Sequence, residues 1–204
     1  MDGQEFLLGS DMSRHQWGSW NPSYVDFLIL KATEGRTWQD PAMDKFISGI
    51  ADTVPDSPPF LGFYHYANAS QNIVADEVEN FVKKISPHIG NCFAALDFEG
   101  TSLNLKYPDE WALDWCEKVE RLTGMLPLLY VSASWAHKFP ETLKKYPLWV
   151  AHYYVQKPFS KYCNIEPLIW QFTPKPFDVD IFYGNKADMV NLITRKGKFG
   201  CNEQ

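Results

Sequence analysis

Short apolar runs alternate with amphipathic stretches along most of the chain. Residues 25–31 read VDFLILK, a continuously apolar run typical of strands that are buried on both faces of a parallel sheet. Residues 72–85, by contrast, repeat apolar positions at helical spacing. Residues 108–123 do the same between a proline at the first helical position and Gly124 at the end. The pattern predicts strands that alternate with helices.

The other elements are predicted in the same way. Strands are expected at 9–13, 60–66, 91–99 and 126–132, and helices at 41–51, with Asp40 as N-cap, and near 134–145. The pattern then changes, because the runs at 147–153, 168–172 and 179–183 resemble strands without long helices between them. Strand–helix alternation of this kind forms a parallel sheet, and about eight strands favour a closed barrel. We therefore predict one α/β domain over 1–204, a TIM-like barrel with its core at about 9–193.

Two carboxylates stand at the end of the strand predicted at 91–99. Residues 93–100 read FAALDFEG, so Asp97 and Glu99 are two positions apart. Alternate side chains of a strand share a face, and these two therefore point the same way, with α-carbons roughly 6.6 Å apart. Like charges this close raise each other's pKa and favour a retained proton. The pair is a candidate general acid with a partner carboxylate, and a metal site or a salt-bridge pair is the alternative.

In parallel barrels the functional side chains lie at the carboxyl ends of the strands. The polar residues expected there are Asp11, Glu34, residues 64–66, Asp97 with Glu99, Ser132, His152, Gln171, and Asp178 or Asp180. Five carboxylates at one rim predict an acidic pocket. Glu34 either contacts a ligand or pairs with Lys31 or Arg36. His65 and His152 are interpreted as structural histidines.

Aromatic side chains near the strand ends have two interpretations. Tyr64, Tyr130, Trp149 and Trp170 either pack in the core or line the pocket, since eight tryptophans cannot all line a groove. An aromatic rim suits a sugar ligand, whose apolar ring faces stack on such side chains. A barrel packed with large residues would have the same composition.

Composition and charge narrow the class of partner. The chain has 204 residues, of which 45% are hydrophobic and 16% aromatic, enough for one substantial core. A net charge of −6 with mostly scattered lysine and arginine argues against a nucleic-acid surface. No run approaches the roughly 18 apolar residues of a membrane span. The ten residues before Asp11 do not have the pattern of a signal peptide, so they indicate no export route.

The four cysteines, Cys92, Cys116, Cys163 and Cys201, are widely separated. No C-x-x-C pair and no ligand-spaced histidines accompany them, so neither a metal site nor a cofactor is expected. Buried free thiols are the preferred interpretation. An even number of cysteines also permits one or two disulfides in an oxidising compartment.

Seven segments taken together resemble a known family. They are GSDMS at 9–13, LKATEG at 30–35, GFYHY at 62–66, LDFE at 96–99, LWVA at 148–151, WQFT at 170–173 and DVDIFYG at 178–184. In this order they are similar to the motifs of glycoside hydrolase family 25, the Chalaropsis-type lysozymes, which are N-acetylmuramidases. The resemblance covers nearly the whole chain. The chain departs from it at 14–17, where RHQW replaces the usual order of aromatic and polar residues after the first aspartate.

The resemblance implies both an architecture and an activity. The architecture is an irregular barrel of five strand–helix units followed by three strands. The activity is hydrolysis of the β-1,4 bond between N-acetylmuramic acid and N-acetylglucosamine in peptidoglycan. The partner would then be a glycan strand and the place of action the cell wall, outside the cell or in the periplasm. A monomer is the default expectation.

The resemblance also assigns residues. Glu99 corresponds to the general acid, Asp97 to its partner carboxylate, and Asp11 with Asp178 to further acids of the site. Asp178 is preferred over Asp180 because it stands six residues before Gly184, as the family's aspartate does before its glycine. The residues expected to contact substrate are Glu34, Tyr64, Tyr130, Trp149, Gln171 and Asp180.

The chemistry leaves three routes open. Cleaving a glycosidic bond needs a protonated acid at the leaving oxygen and negative charge near the developing oxocarbenium ion, and Glu99 and Asp97 supply one of each. Their spacing permits both the ~5 to 5.5 Å of retaining sites and the ~6.5 to 9.5 Å of inverting sites. The favoured route is a third, in which the substrate's 2-acetamido oxygen attacks and Asp97 orients it.

Two other function classes are weighed against the muramidase. A chitinase-like enzyme also uses a strand-end D-x-E, but further aspartates are expected just upstream, where this chain has Phe93 and Ala95. The last alternative is a glycan-binding protein without activity. It is disfavoured because an acidic cluster kept for no chemistry would cost stability.

Overall fold

The computed structural model describes residues 5–16, 18, 24–158, 166–175 and 177–194. Its strands are β1 (Phe6–Met12), β2 (Phe27–Glu34), β3 (Trp38–Gln39), β4 (Phe60–Tyr66), β5 (Cys92–Asp97), β6 (Leu128–Ser132), β7 (Leu148–Ala151), β8 (Ile169–Thr173) and β9 (Val179–Tyr183). Its α-helices are α1 (Met43–Thr53), α2 (Val74–Ile85), α3 (Pro108–Thr123), α4 (Pro140–Lys145) and α5 (Lys186–Thr194). The predicted bounds of β4, α3 and β9 coincide with these.

Eight of the nine strands close into a barrel. Strands β1, β2, β4, β5, β6, β7 and β8 pair in that order and run parallel. Strand β9 closes the ring and runs antiparallel to both β8 and β1. The two-residue β3, which the sequence pattern does not predict, pairs antiparallel with the end of β2.

The helices cover the outside of the first half of this barrel. A short 3-10 turn, Arg14–Gln16, follows β1, and α-helices follow the hairpin of β2 with β3, then β4, β5 and β6. Within the described residues no α-helix separates β7, β8 and β9. The predicted irregular α/β barrel, with five strand–helix units and three final strands, is therefore confirmed, although the first unit has a 3-10 turn in place of an α-helix.

Alternate side chains of the strands fill two separate cores. The outward faces pack beneath the helices around Phe81 and Trp115, which are fully buried. The inward faces fill one end of the barrel with large rings, among them Phe93. Gly62 makes room for this ring, because a Cβ at its position would lie 2.3 Å from Phe93 Cζ. The rings occupy the end where the parallel strands begin, so the polar residues lie at the other end.

Helix α5 is absent from the sequence-based prediction. Because β9 runs antiparallel, the chain leaves it at the end of the barrel opposite the polar rim. Helix α5 packs there, and its Met189 and Leu192 join the interior cluster that contains Phe27 and Phe93. This helix closes the bottom of the barrel.

Two of the four cysteines lie within the described residues. Cys92 and Cys116 are buried free thiols, as predicted, and burial raises the pKa of Cys92 to about 12. Cys163 and Cys201 lie outside the described residues, so their state stays a prediction. Of the helices in the described part of the chain, none is both long and apolar enough to cross a membrane.

Candidate active site

The acids of the site come from three strands. Asp11 lies near the end of β1 and Asp97 at the end of β5, both of which are parallel strands. Asp178 and Asp180 lie at the start of β9 instead. Because β9 runs in the opposite direction, its start lies at the same rim as the ends of the parallel strands, and Asp180 is in register with Gln171 of β8. The antiparallel strand thus brings its aspartates to the other acids.

Asp97 and Glu99 share the inward face. Strand β5 ends at Asp97, and Glu99 keeps an extended backbone with φ −147° and ψ −168° before the next 3-10 turn. Phe98 between them points outward and packs edge-on against Trp111 and Phe139. Asp97 is buried and Glu99 is half-buried. The two-residue spacing therefore places both carboxyls on one side, as the strand period predicts.

Burial dominates the electrostatics of this pair. It raises the pKa of Asp97 well above its usual value, the charge of Glu99 raises it further, and Lys31 lowers it. Burial also raises the pKa of Glu99, against the effect of Lys31 and with a further increase from Asp178. Neighbouring carboxylates, which the sequence predicts as the cause of the shift, contribute less than the exclusion of water by the barrel. The pair therefore favours a retained proton.

Gln171 holds Asp11, and two further side chains hold Gln171. Its Nε2 donates to Asp11 Oδ2 at 2.5 Å. Its Oε1 accepts from the hydroxyls of Tyr130 at 2.9 Å and Tyr153 at 2.5 Å. An ionised Asp11 carboxylate can only accept, so the amide turns its N–H toward Asp11, and the two hydroxyls, which can donate or accept, then donate to the amide oxygen. Burial raises the pKa of Asp11 well above its usual value, and Asp180 and Asp178 raise it further.

The two aspartates of β9 have different surroundings. Asp180 is fully buried, and Trp149 Nε1 donates to its Oδ1 at 2.9 Å. Its Oδ2 has no donor in the described part of the chain except the Asp11 carboxyl, which donates only when protonated. Burial raises the pKa of Asp180 to about 7. Asp178 is half-buried, and its Oδ2 accepts a long hydrogen bond of 3.4 Å from Gln16. Asp178 is thus the aspartate that an incoming ligand can reach.

Aromatic rings lie beneath the acids. The Tyr130 ring lies 4.4 Å from that of Trp149, and the Tyr64 ring contacts Trp149 edge-on at 6.2 Å. All three are buried in the interior cluster, so they form the floor of the rim as well as part of the core. Trp170, by contrast, faces outward and donates to the backbone oxygen of His152 at 2.8 Å.

Lys31 lies close enough to Asp97 and Glu99 to act on both carboxyls, although the sequence pattern indicates it only as a possible partner of Glu34. Its Nζ forms an ion pair with Glu34 Oε2 at 2.7 Å, which is one of the two alternative pairings considered for Glu34, whose contact with substrate stays a prediction. The same ammonium lies 4.6 Å from the centre of the Tyr66 ring. Lys31 lowers the pKa of both carboxyls at the end of β5. Its position two residues after inward-facing Ile29 was the available signal for an inward lysine.

The two histidines have different surroundings. His65 faces outward, with Nδ1 2.7 Å from Thr33 Oγ1 and Nε2 2.7 Å from Glu77 Oε2, which confirms its structural interpretation. His152 is half-buried after β7, and its backbone N–H donates to the Gln171 oxygen. Across the described ranges no three His, Cys, Asp or Glu side chains are grouped so as to hold a metal ion.

Comparison with known proteins agrees with this geometry. The sequence pattern of Glycosyl hydrolases family 25 matches residues 10–181. The uncharacterized protein YegX of Escherichia coli (strain K12) is 26% identical over 179 residues, which are 83% of this chain and 63% of that protein. The autolytic lysozyme of Clostridium acetobutylicum is 29% identical over 145 residues, 67% of this chain and 40% of that protein. The chain therefore spans less than two thirds of the length of these relatives.

The fold is also that of a solved structure. A family GH25 lysozyme from Aspergillus fumigatus superposes on this chain with a TM-score of 0.79 at 22% identity. The match covers 93% of this chain and 100% of the lysozyme chain. This likeness concerns the barrel, whereas the matched sequence pattern includes the strand ends that carry Asp11, Asp97 and Glu99. The chain belongs to family 25 of the glycosyl hydrolases.

Proposed function

We propose that this glycosidase is a muramidase that cleaves the β-1,4 bond between N-acetylmuramic acid and N-acetylglucosamine in peptidoglycan. The observation that carries the proposal is the pair of Asp97 and Glu99, two carboxyls on one inward face at the rim of the barrel. Burial favours a retained proton on this pair. Membership of the family and the naming of a relative as an autolytic lysozyme support the choice of substrate.

Glu99 is the proposed general acid. It is the more exposed of the two carboxyls, so the leaving oxygen of a bound sugar can approach it. Its raised pKa keeps a larger protonated fraction near neutral pH. We expect kcat/KM to fall as the pH rises through the pKa of Glu99, because the ionised form has no proton to give.

Asp97 is the proposed partner that orients the substrate. Its Oδ1 is buried and has no hydrogen-bond donor within the described ranges. The N–H of a 2-acetamido group would supply this donor while its oxygen attacks the anomeric carbon and Glu99 protonates the leaving oxygen. Water would then open the cyclic intermediate, with Glu99 taking back a proton, and leave a new reducing end. This supports the substrate-assisted route over direct attack by Asp97.

Asp11 and Asp178 are proposed to stabilise positive charge on the sugar. The Gln171 network holds Asp11 in place, and half-buried Asp178 lies where a ligand can contact it. Asp180 is bound to Trp149 at the floor, which supports Asp178 as the aspartate that contacts substrate. The cell wall is then the proposed place of action.

The proposal is tested with purified protein and isolated peptidoglycan. We expect new reducing ends, and mass spectrometry should show muropeptides that end in reducing N-acetylmuramic acid. Glu99→Gln should lower the rate about 10² to 10⁴-fold, the usual contribution of a general acid. Glu79→Gln, which changes an exposed carboxylate on α2, is the matched control and should leave the rate unchanged. Products without a new reducing sugar would show that the chain is not a glycosidase acting on this bond.

A further inference from the structure

A cavity opens beside the acids. Its volume is about 330 Å³, and it lies between the 3-10 turn after β1, the turn that joins β2 to β3, and the residues after β4. Its lining includes Arg14, Lys31, Arg36, Trp38, Asn68 and Asn72. It shares a wall, the pair of Lys31 and Glu34, with the acid rim, but none of the four proposed catalytic acids lines it.

The carboxylates of this cavity already have partners. Glu34 is paired with Lys31 at 2.7 Å. Asp40 is 1% exposed and accepts two backbone N–H groups, one of them that of Arg14 at 3.0 Å. Arg14 and Arg36, in contrast, have no carboxylate partner within the part of the chain that the structure describes. The lining therefore presents two unneutralised guanidinium groups.

Arg14 is exposed, and contacts of its guanidinium and of its backbone restrain it. Its guanidinium carbon lies 5.3 Å from the centre of the Trp38 ring, a cation–π contact. Its backbone N–H is fixed by buried Asp40. A guanidinium restrained in this way loses less rotamer entropy when it binds, and its fork of N–H donors matches a carboxylate.

We infer that this cavity binds a carboxylate carried by the glycan strand, next to the bond that is cleaved. The inference rests on the proposed function, since it assumes that a glycan lies over the acids. Muramic acid bears a lactyl ether whose carboxyl group is either free or joined to a peptide with carboxylates of its own. A sugar bound at the rim can direct this substituent across the Lys31–Glu34 wall, where Arg14 and Arg36 would pair with its charge.

Binding is tested without turnover, by NMR titration with three probes. The probes are N-acetylmuramic acid, an N-acetylmuramoyl peptide with free carboxylates, and neutral N-acetylglucosamine. We expect an acidic probe to bind more tightly than the neutral one, with an affinity that falls as salt is added. If N-acetylmuramic acid binds tightly by itself, the cavity recognises the lactyl carboxylate. If the peptide probe binds tightly and N-acetylmuramic acid does not, the cavity recognises a carboxylate of the stem peptide. If neither acidic probe binds more tightly than N-acetylglucosamine, the inference is wrong.

Variants assign the binding to the cavity. Arg36→Gln and Arg14→Gln should each raise Kd for the acidic probe about fivefold to tenfold. Arg14 and Arg36 are both exposed, and Arg36 makes no contact with the Trp38 ring or with Asp40, so its variant tests the inference even if the Arg14 variant disturbs the turn after β1. Arg121→Gln makes the same change at an exposed site in the last turn of α3, at the other end of the barrel, and should leave Kd unchanged. Equal Kd values for Arg36→Gln and Arg121→Gln would overturn the assignment.

The same variants give different kinetics on two substrates. On intact peptidoglycan, Arg36→Gln should raise KM with little change in kcat, because the lost contact is made in both ground and transition states. On peptidoglycan whose carboxyls have been amidated, the variant and the wild type should have the same KM. A wild type that releases no reducing ends would refute the proposed function, while the titration still decides whether the cavity binds carboxylates.

Discussion

Glu77 is the buried carboxylate that ties helix α2 to the rim side of strand β4. It is fully buried, and its carboxylate accepts His65 Nε2 at 2.7 Å, the backbone N–H of Asn68 at 3.1 Å and the side-chain amide of Asn72 at 2.8 Å. Glu77→Ala removes the acceptor of all three donors at once. We therefore predict a large loss of stability from one substitution outside the acid cluster.

The magnitude follows from how well water can replace each bond. His65 is fully buried, so its Nε2 stays unpaired in either tautomer, at a cost of about 1 to 3 kcal/mol. Asn68 and Asn72 are half-buried and can recruit water, so each contributes less. Together with the cavity left by the side chain, this lowers the expected free energy of unfolding by about 3 to 5 kcal/mol, because the cost of the unpaired buried polar atom and the cost of the cavity add.

Glu77→Gln should cost less than the alanine change. A neutral His65 can switch tautomer, donate through Nδ1 to Thr33 Oγ1 and accept the new amide at Nε2. We expect a loss of about 1 to 2 kcal/mol, because the glutamine oxygen still accepts at least one of the remaining donors.

Urea denaturation near pH 7 measures both losses. Trp115 stacks on His65 with ring centres 5.5 Å apart, so tryptophan fluorescence reports on this region. Glu79→Ala, an exposed change on the same helix, is the control and should stay within about 0.5 kcal/mol of the wild type. The reasoning from unpaired buried polar groups is refuted if the loss in free energy of unfolding for Glu77→Ala exceeds that for Glu79→Ala by less than about 1 kcal/mol.

Two further predictions concern the barrel interior. Gly62→Ala should lower the free energy of unfolding by about 1 to 3 kcal/mol, because its Cβ would lie 2.3 Å from Phe93 Cζ. The control is Gly49→Ala, where nothing lies within 4 Å of the added Cβ, and it should be neutral or stabilising. If the two variants change the melting temperature equally, the packing argument is contradicted. The folded-state pKa of Asp180 is raised to about 7, so its ionisation costs stability as the pH rises towards that value. The oxygen of Asn in Asp180→Asn can still accept from Trp149. The difference in free energy of unfolding between this variant and the wild type should therefore be more favourable to the variant at pH 8 than at pH 4, by about 2 kcal/mol or more. Urea titrations that give the same difference at both pH values would refute this.

Local patterns predicted the elements that depend on local interactions. Helix α3 begins at Pro108 and ends before Gly124, whose φ of 74° is the left-handed conformation that glycine adopts readily. Helix α5 was missed because it is a short segment whose apolar residues close the bottom of the barrel rather than form a regular stripe. Strand β3 was missed because two residues give no period to detect.

Part of the candidate site could likewise be predicted from local patterns, and part could not. The shared face of Asp97 and Glu99 follows from the two-residue period of a strand, and the ends of β1 and β5 follow from their apolar runs. Lys31 was not predicted as part of the site, since nothing along the chain shows that it lies close enough to those acids to lower their pKa.

The sequence by itself determined the alternation of strands and helices and the side on which the paired carboxyls point, because both depend on neighbours a few residues away. Only the tertiary structure decided that β9 runs antiparallel and brings Asp178 and Asp180 to the rim. It also decided which acids are buried, and therefore which pKa values rise. These properties depend on contacts between segments far apart along the chain, and no local pattern encodes them.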